Sequence, residues 1–222
     1  MTTVRTFPMF RSVDPQRDPP DKLRKRQSTK RRPGNVPFVV DNLWEWKRWK
    51  DYPDYPSRRF SVFASPRVEL ARQCGPTGGA VYRIDLVGEF KLCQVPGHAD
   101  SKEHEECRSL PKKLLEGLGQ EWLDGRLEQK EQAGKLWLPC LDPNEVEGLF
   151  DTVPRLRDMR EDVWKAINYW EALALITDPR GILNLDGELF FEPSSRQGEG
   201  FILRAIGREP SQRGLSAAGP AT

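Results

Sequence analysis

Glu188 and Glu192 share one face of the segment ELFFE, because side chains alternate along a strand with period two. A fixed carboxylate stabilises developing positive charge, orients a nucleophile or takes a proton. Cation and hydroxyl partners are offered by SRRFSVFAS, where Arg59, Ser61 and Ser65 fall on one face and Phe60, Val62 and Ala64 on the other. Arginine grips phosphate pairs through charge-assisted, often bidentate bonds, and Arg58 or Arg59 is placed to do so. A serine hydroxyl fixes a ribose or an amide. The same patterns also describe half-exposed strands with scattered charges.

A second constellation is Cys93, His98, His104 and Cys107, with the spacing C-x4-H-x5-H-x2-C and both histidines of the chain. Four N and S ligands suit a tetrahedral structural zinc, while the acidic run GHADSKEHEEC equally suits an exposed loop. Cys140 precedes an expected helix start, where a thiol pKa can fall. Without a placed histidine partner, a core position is the simpler reading for it.

These residues need elements to position them. Residues 1–35 are rich in Pro, Asp, Arg and Lys and read as a disordered arm. Its block KLRKRQSTKRR has seven basic residues in eleven, enough to meet nucleic acid or an acidic surface. VPFVVDNLWEW (36–46) reads as a strand running into an aromatic loop, where Trp44 can wall a cleft. The SRRF strand, a short helix PRVELARQCG, and the strands GGAVYRIDL and EFKLCQV follow. SLPKKLLEGLGQEWL places Leu110, Leu114, Leu115, Leu118 and Trp122 at helical spacing.

GKLWLPCL reads as a strand, and DPNEVEGLF as a helix capped by Asp142. RLRDMREDVWKAINYWEALALIT reads as the longest helix, with Met159, Val163, Ile167, Trp170 and Leu173 on one face. ILNLDGELFFEP and EGFILRAI close the order. A single α+β domain over 36–207, followed by a disordered tail over 208–222, is the expectation.

RRFSVFASPRVELA followed by GGAVYRIDL resembles the second conserved region of ADP-ribosyltransferase-like domains and is similar to bacterial RES-type members. The resemblance covers 36–95 and 181–206. It implies a split mixed β-sheet core around an NAD cleft, with helices inserted between strands. By position, Arg59 or Arg58 would hold the NAD phosphates, Ser61 and Ser65 would line the nicotinamide side, and Glu188 would be the catalytic acid, with Glu192 as its competitor. NAD would be the substrate, and ADP-ribose would pass to a macromolecular acceptor, a protein sooner than a nucleic acid, as in bacterial toxins and effectors. With water as acceptor, the same site is an NAD glycohydrolase. ELFFE holds no Gln-x-Glu or Glu-x-Glu pair, so the acceptor is left open.

Composition narrows the classes. A net charge of +2 does not by itself mark a nucleic-acid binder, and no run approaches the roughly 20 apolar residues of a membrane span. The start MTTVRTFPMFRSVDPQ lacks the apolar core of a secretory signal, and four cysteines are too few for a disulfide scaffold. A cytoplasmic setting, or export without a Sec-type signal, is expected. The rival to an enzyme is a binding module that uses the basic arm and the aromatic segment 44–55.

Overall fold

In the structure, a computed structural model describing residues 3–119, 127–182 and 185–206, the N-terminal stretch departs first from expectation. VRTFPMFRSV is a strand (β1, Val4–Val13) with Phe7, Met9 and Val13 buried. Three large apolar side chains two or four residues apart give a strand face worth burying, so the arm is corrected from disordered to folded. Pro8 lacks a donor, but β1 is an edge strand whose register with β4 (Ala80–Val87) slips between Thr6 and Phe10. The proline therefore sits where no ladder bond is needed.

The basic block contributes β2 (Leu23–Arg24) and then runs as a strap over the domain. Arg24 is bonded to Asp18 at 2.7 Å, Arg26 to Glu192 at 2.8 Å, and Lys30 to Asp142.

The segment after Pro37 is a helix (α1, Phe38–Asp51), not a strand. Its early valines mimic a strand, but the chain from Val39 to Lys47 is buried without a break, which marks a helix enclosed on all sides. Next come β3 (Val62–Ala64), α2 (Val68–Gln73), β4 and β5 (Phe90–Val95), as alternation predicts. The helices α3 (Glu106–Leu118), α4 (Leu127–Gly134), α5 (Pro143–Thr152), α6 (Pro154–Asp158) and α7 (Arg160–Ala166) then form a block. Asp142 and Glu145 make the capping box that starts α5. The chain closes with β6 (Ala174–Leu175), β7 (Glu188–Pro193) and β8 (Gly200–Ala205).

Two expected elements are replaced by irregular backbone for one physical reason: distant side chains take the peptide groups that a regular element would use. Residues 134–141 form a 3-10 turn (Lys135–Trp137) and a loop, because Asn42 Nδ2 donates to the carbonyls of Leu136 (2.9 Å) and Leu138 (2.7 Å). The expected long helix is split at Met159 into α6 and α7 and ends after Ala166. There Lys47 Nζ donates to the Ile167 carbonyl at 2.6 Å, and the Asn168 amide donates to Glu106 at 2.6 Å.

The strands form two four-stranded sheets, ordered β1-β4-β8-β2 and β3-β7-β5-β6. Among the described residues all pairings are antiparallel, where a mixed core was expected. Parallel pairing needs crossover helices between partner strands, whereas these helices are gathered between β5 and β6. Phe7, Met9, Ile84, Leu86, Leu92, Leu189, Phe191 and Leu203 fill the space between the sheets. Val39, Leu43, Trp44, Leu110, Phe150, Trp170 and Phe190 join the helices to the other face of the β7 sheet. With both faces covered, β7 reads as the continuous apolar run LFF between its two glutamates.

The result is an α+β fold. Among the described residues, no helix is long and apolar enough to cross a membrane. Trp122, and the tail expected over 208–222, lie outside the described residues.

Candidate functional site

Paired backbone bonds of 2.8 Å between Phe10 and Ser65 tie β1 of one sheet to the end of β3 of the other. Beside this bridge opens a cleft of about 220 Å³, walled by Arg11, Arg31, Phe63, Ser65, Asp100 and Glu188. A smaller extension, lined by Arg31, Asn35, Asp41, Arg58, Phe63 and Glu188, leads inward. Five parts of the chain thus converge: β1, the basic strap, β3, the turn before Ser101, and the first residue of β7.

Glu188 is held through one oxygen. Its Oε2 accepts from the Ser101 hydroxyl and from the Ser101 amide at 3.2 Å, and lies 3.8 Å from Arg58 Nη1. Oε1 has no hydrogen-bond partner among the described residues. Arg58 Nη1 donates to Ser101 Oγ at 2.7 Å and to Tyr169 Oη at 2.6 Å, and those two oxygens are 3.1 Å apart. With Ser101 donating to Glu188, the Tyr169 hydroxyl is free to donate to Ser101. The proton chain then runs from tyrosine through serine to carboxylate.

Burial pushes the Glu188 carboxyl above the usual carboxylate range, and Arg58 and Ser101 only partly pull it back. The balance is reasonable in size. Desolvating a carboxylate costs several kcal/mol, and one arginine at 3.8 Å returns roughly 4 kcal/mol at an effective dielectric of about 20. Tyr169 is likewise pushed up by burial, so it stays a neutral donor. Its ring stacks on Trp44 with centroids 3.8 Å apart, and Trp44 Nε1 donates to Glu106 at 2.7 Å. Glu106 thereby locks both α1 and the loop that carries Tyr169.

Arg58 and Arg59 have exchanged the roles that alternation implies. Residues 58–60 form a turn, closed by Phe60 N to Ser57 O at 3.2 Å and Ser61 N to Arg58 O at 3.4 Å, so strand parity begins only at β3. Arg58 consequently faces the cleft, ringed by Trp44, Phe63, Tyr169 and Phe190. Arg59 turns into the scaffold, bonded to Asp41 at 2.9 Å, to Asn42 at 2.6 Å and to the Leu141 carbonyl. Arg59 lines neither the cleft nor its inner extension.

The other sequence candidates separate in the same way. Ser65 lines the cleft, while Ser61 is buried and donates to the Ser57 carbonyl at 2.7 Å. Trp44 is core beneath Tyr169 rather than cleft wall. Glu192, at the far end of β7, accepts from Arg26 at 2.8 Å and from the Ser57 amide at 2.7 Å, and does not reach the cleft.

The zinc constellation is not assembled. Among the described residues, no three His, Cys, Asp or Glu side chains are grouped to hold a metal. Cys93 is fully buried in β5, where its parity turns it into the helix-side core and burial raises its pKa. His98 and His104 do meet, with ring centroids 5.4 Å apart. Cys107 donates to the Ser101 carbonyl at 3.5 Å, and burial pushes its pKa up to about 11. Burial also raises the Cys140 thiol, so the helix start beside it does not activate it.

Four residues of the site escaped the sequence reading, two lining the cleft (Arg11 and Arg31) and two buried behind Glu188 (Ser101 and Tyr169). Ser101 and Tyr169 lie in a polar loop and in a stretch with helical periodicity, and neither carries a local signal. Arg11 and Arg31 lie in the presumed disordered arm. The Phe7–Met9–Val13 alternation was the clue that Arg11 stands on a strand. Arg31 stacks on Phe63 at 4.3 Å, and Arg11 Nη1 donates to the Phe63 carbonyl at 2.8 Å. Neither guanidinium has an anionic hydrogen-bond or ion-pair partner among the described residues. Burial and Arg31 lower the pKa of Arg11 against the pull of Asp18, while burial and Arg58 lower that of Arg31 against the pull of Glu188, Asp41 and Asp100. Both guanidiniums sit near carboxylates without being directly bonded to one.

Comparison with protein-family models, with curated proteins and with solved structures finds no match to this chain.

Proposed function

We propose that the protein binds NAD in this cleft and breaks its nicotinamide–ribose bond, passing ADP-ribose to a macromolecular acceptor. A protein side chain is the acceptor of choice, and water makes the same site a glycohydrolase. The observation that carries this reading is a half-buried carboxylate, Glu188, secured through one oxygen and lining a cleft whose two arginines make no direct bond to an anion.

In this reading Arg11 and Arg31 take the diphosphate. Ser65 and Phe63 line the nicotinamide side. As the glycosidic bond breaks, the electron pair leaves with nicotinamide and positive charge develops on the ribose. Glu188 Oε1 faces that charge, while Ser101, Tyr169 and Arg58 keep Oε2 in place, so no reorganisation is needed at the moment of reaction. The acceptor then adds to the ribose carbon and releases its proton.

Use of the basic arm as a nucleic-acid ligand is the less favoured reading. Arg24, Arg26 and Lys30 are already paired within the chain.

The test is nicotinamide release from NAD by purified protein, with and without cell lysate. Glu188→Gln is expected to lower release by about 10²–10³-fold, the usual cost of removing one electrostatic stabiliser. A mass increment of ADP-ribose on a lysate protein would identify transfer. Absence of both release and saturable NAD binding by folded protein would overturn the reading.

A further inference from the structure

Arg11 and Arg31 are shared between two cavities. Behind the wall they form, away from Glu188, lies a second cavity of about 290 Å³. Asp18, Arg24, Lys25 and Gln27 form its polar side, and Phe201 and Leu203 form its floor. Building on the reading above, a dinucleotide with its nicotinamide at Glu188 and its diphosphate over the two arginines must place its adenosine half here. The apolar floor suits a base.

The charges do not suit a neutral adenosine. Among the described residues, four cations line the cavity, Arg11, Arg24, Lys25 and Arg31, against one carboxylate, Asp18. Asp18 is held by Arg24 at 2.7 Å. A diphosphate dianion balances Arg11 and Arg31. Lys25 then remains exposed and without a partner among the described residues, and the Arg24 Nε beside it is buried with no acceptor.

From this imbalance we infer that the cavity receives a phosphomonoester on the adenosine ribose, so that NADP is preferred to NAD. Lys25 meets the added phosphate as a rim cation, in a field reinforced by Arg24.

Titration calorimetry of the full chain tests this with four probes: NAD, NADP, 5′-AMP and 2′,5′-ADP. NADP is expected to bind about tenfold more tightly than NAD, the return of one charge-assisted contact of about 1.4 kcal/mol. 2′,5′-ADP should likewise exceed 5′-AMP. Lys25→Glu, at an exposed position that leaves the fold intact by circular dichroism, should collapse both ratios toward one.

Equal wild-type affinities for NAD and NADP, or ratios that survive Lys25→Glu, would overturn the inference. Nicotinamide release from NAD alongside equal affinities would leave the catalytic reading standing without it. Lys25-dependent binding of 2′,5′-ADP with no release from either dinucleotide would do the reverse.

Discussion

The two ends of β7 carry the same residue on the same face and treat it differently. Glu192 is saturated: Arg26 Nε and Nη2 approach Oε1 at 2.8 and 2.7 Å, and the Ser57 amide donates to Oε2 at 2.7 Å. Glu188 has its arginine only at 3.8 Å and an oxygen left over. The adjacent arginines repeat the contrast. Arg59 places three nitrogens on three acceptors, whereas Arg58 leaves Nε buried without one. A side chain that holds the fold has its bonds completed by the fold. In the proposed reading, the side chain left short is the one kept for a ligand, at a cost in stability that the surrounding packing must offset.

The sharpest way to break this contrast is at the arginines. Arg59→Ala strands the buried Asp41 carboxylate and frees the Leu141 carbonyl, so it should cost about 3–5 kcal/mol and lower the thermal midpoint by roughly ten degrees. Arg58→Ala should spare more of the stability and strike turnover. If calorimetry ranks the two the other way, the division of labour is wrong.

Next in size is the pH dependence. Turnover should rise with pH as Glu188 ionises, with its acid limb above the ordinary carboxylate range. Arg58 favours the ionised form, so Arg58→Ala should move that limb further up in a pH–rate profile. A limb at the ordinary value, unmoved by the substitution, would place the working group elsewhere.

Stability should carry the same signature with the opposite trend. The Glu188 pKa is raised on folding, so its contribution is fully present below the unfolded value and is lost as pH rises through the folded value. Glu188→Gln should therefore match wild type in acid and gain on it toward neutral pH in denaturant titrations.

The smallest effect belongs to the strap. Lys30→Ala removes one partly exposed pair with Asp142 and should change stability by no more than about 1 kcal/mol. A larger loss would mean that the strap is held chiefly at that point.

The sequence made the regular parts legible where period and environment agree. β4, β5, α2 and the Asp142-capped α5 follow from alternation, helical spacing and capping residues. Glu188 and Glu192 were both legible on one face of ELFFE, but which of them lines the cleft was not. What stayed hidden depends on partners far away in the chain. Asn42 and Lys47 dissolve two expected elements by taking their carbonyls, a competition between residues roughly a hundred positions apart that no local window contains. Arg58 and Arg59 were indistinguishable because one turn ahead of β3 resets the parity. Ser101 and Tyr169 acquire meaning only once Arg58 reaches them.

The pairing of β2 with β8, at Leu23↔Ile202 and Arg24↔Phe201, also sets an order of events. During synthesis Arg11 and Arg31 emerge long before Glu188. A nascent chain halted before β7 lacks the strand that faces them, and the long-range pairing that brings them to Glu188 is a slow kind of contact to form. The cleft therefore comes into being only once β7 and β8 have been made and docked.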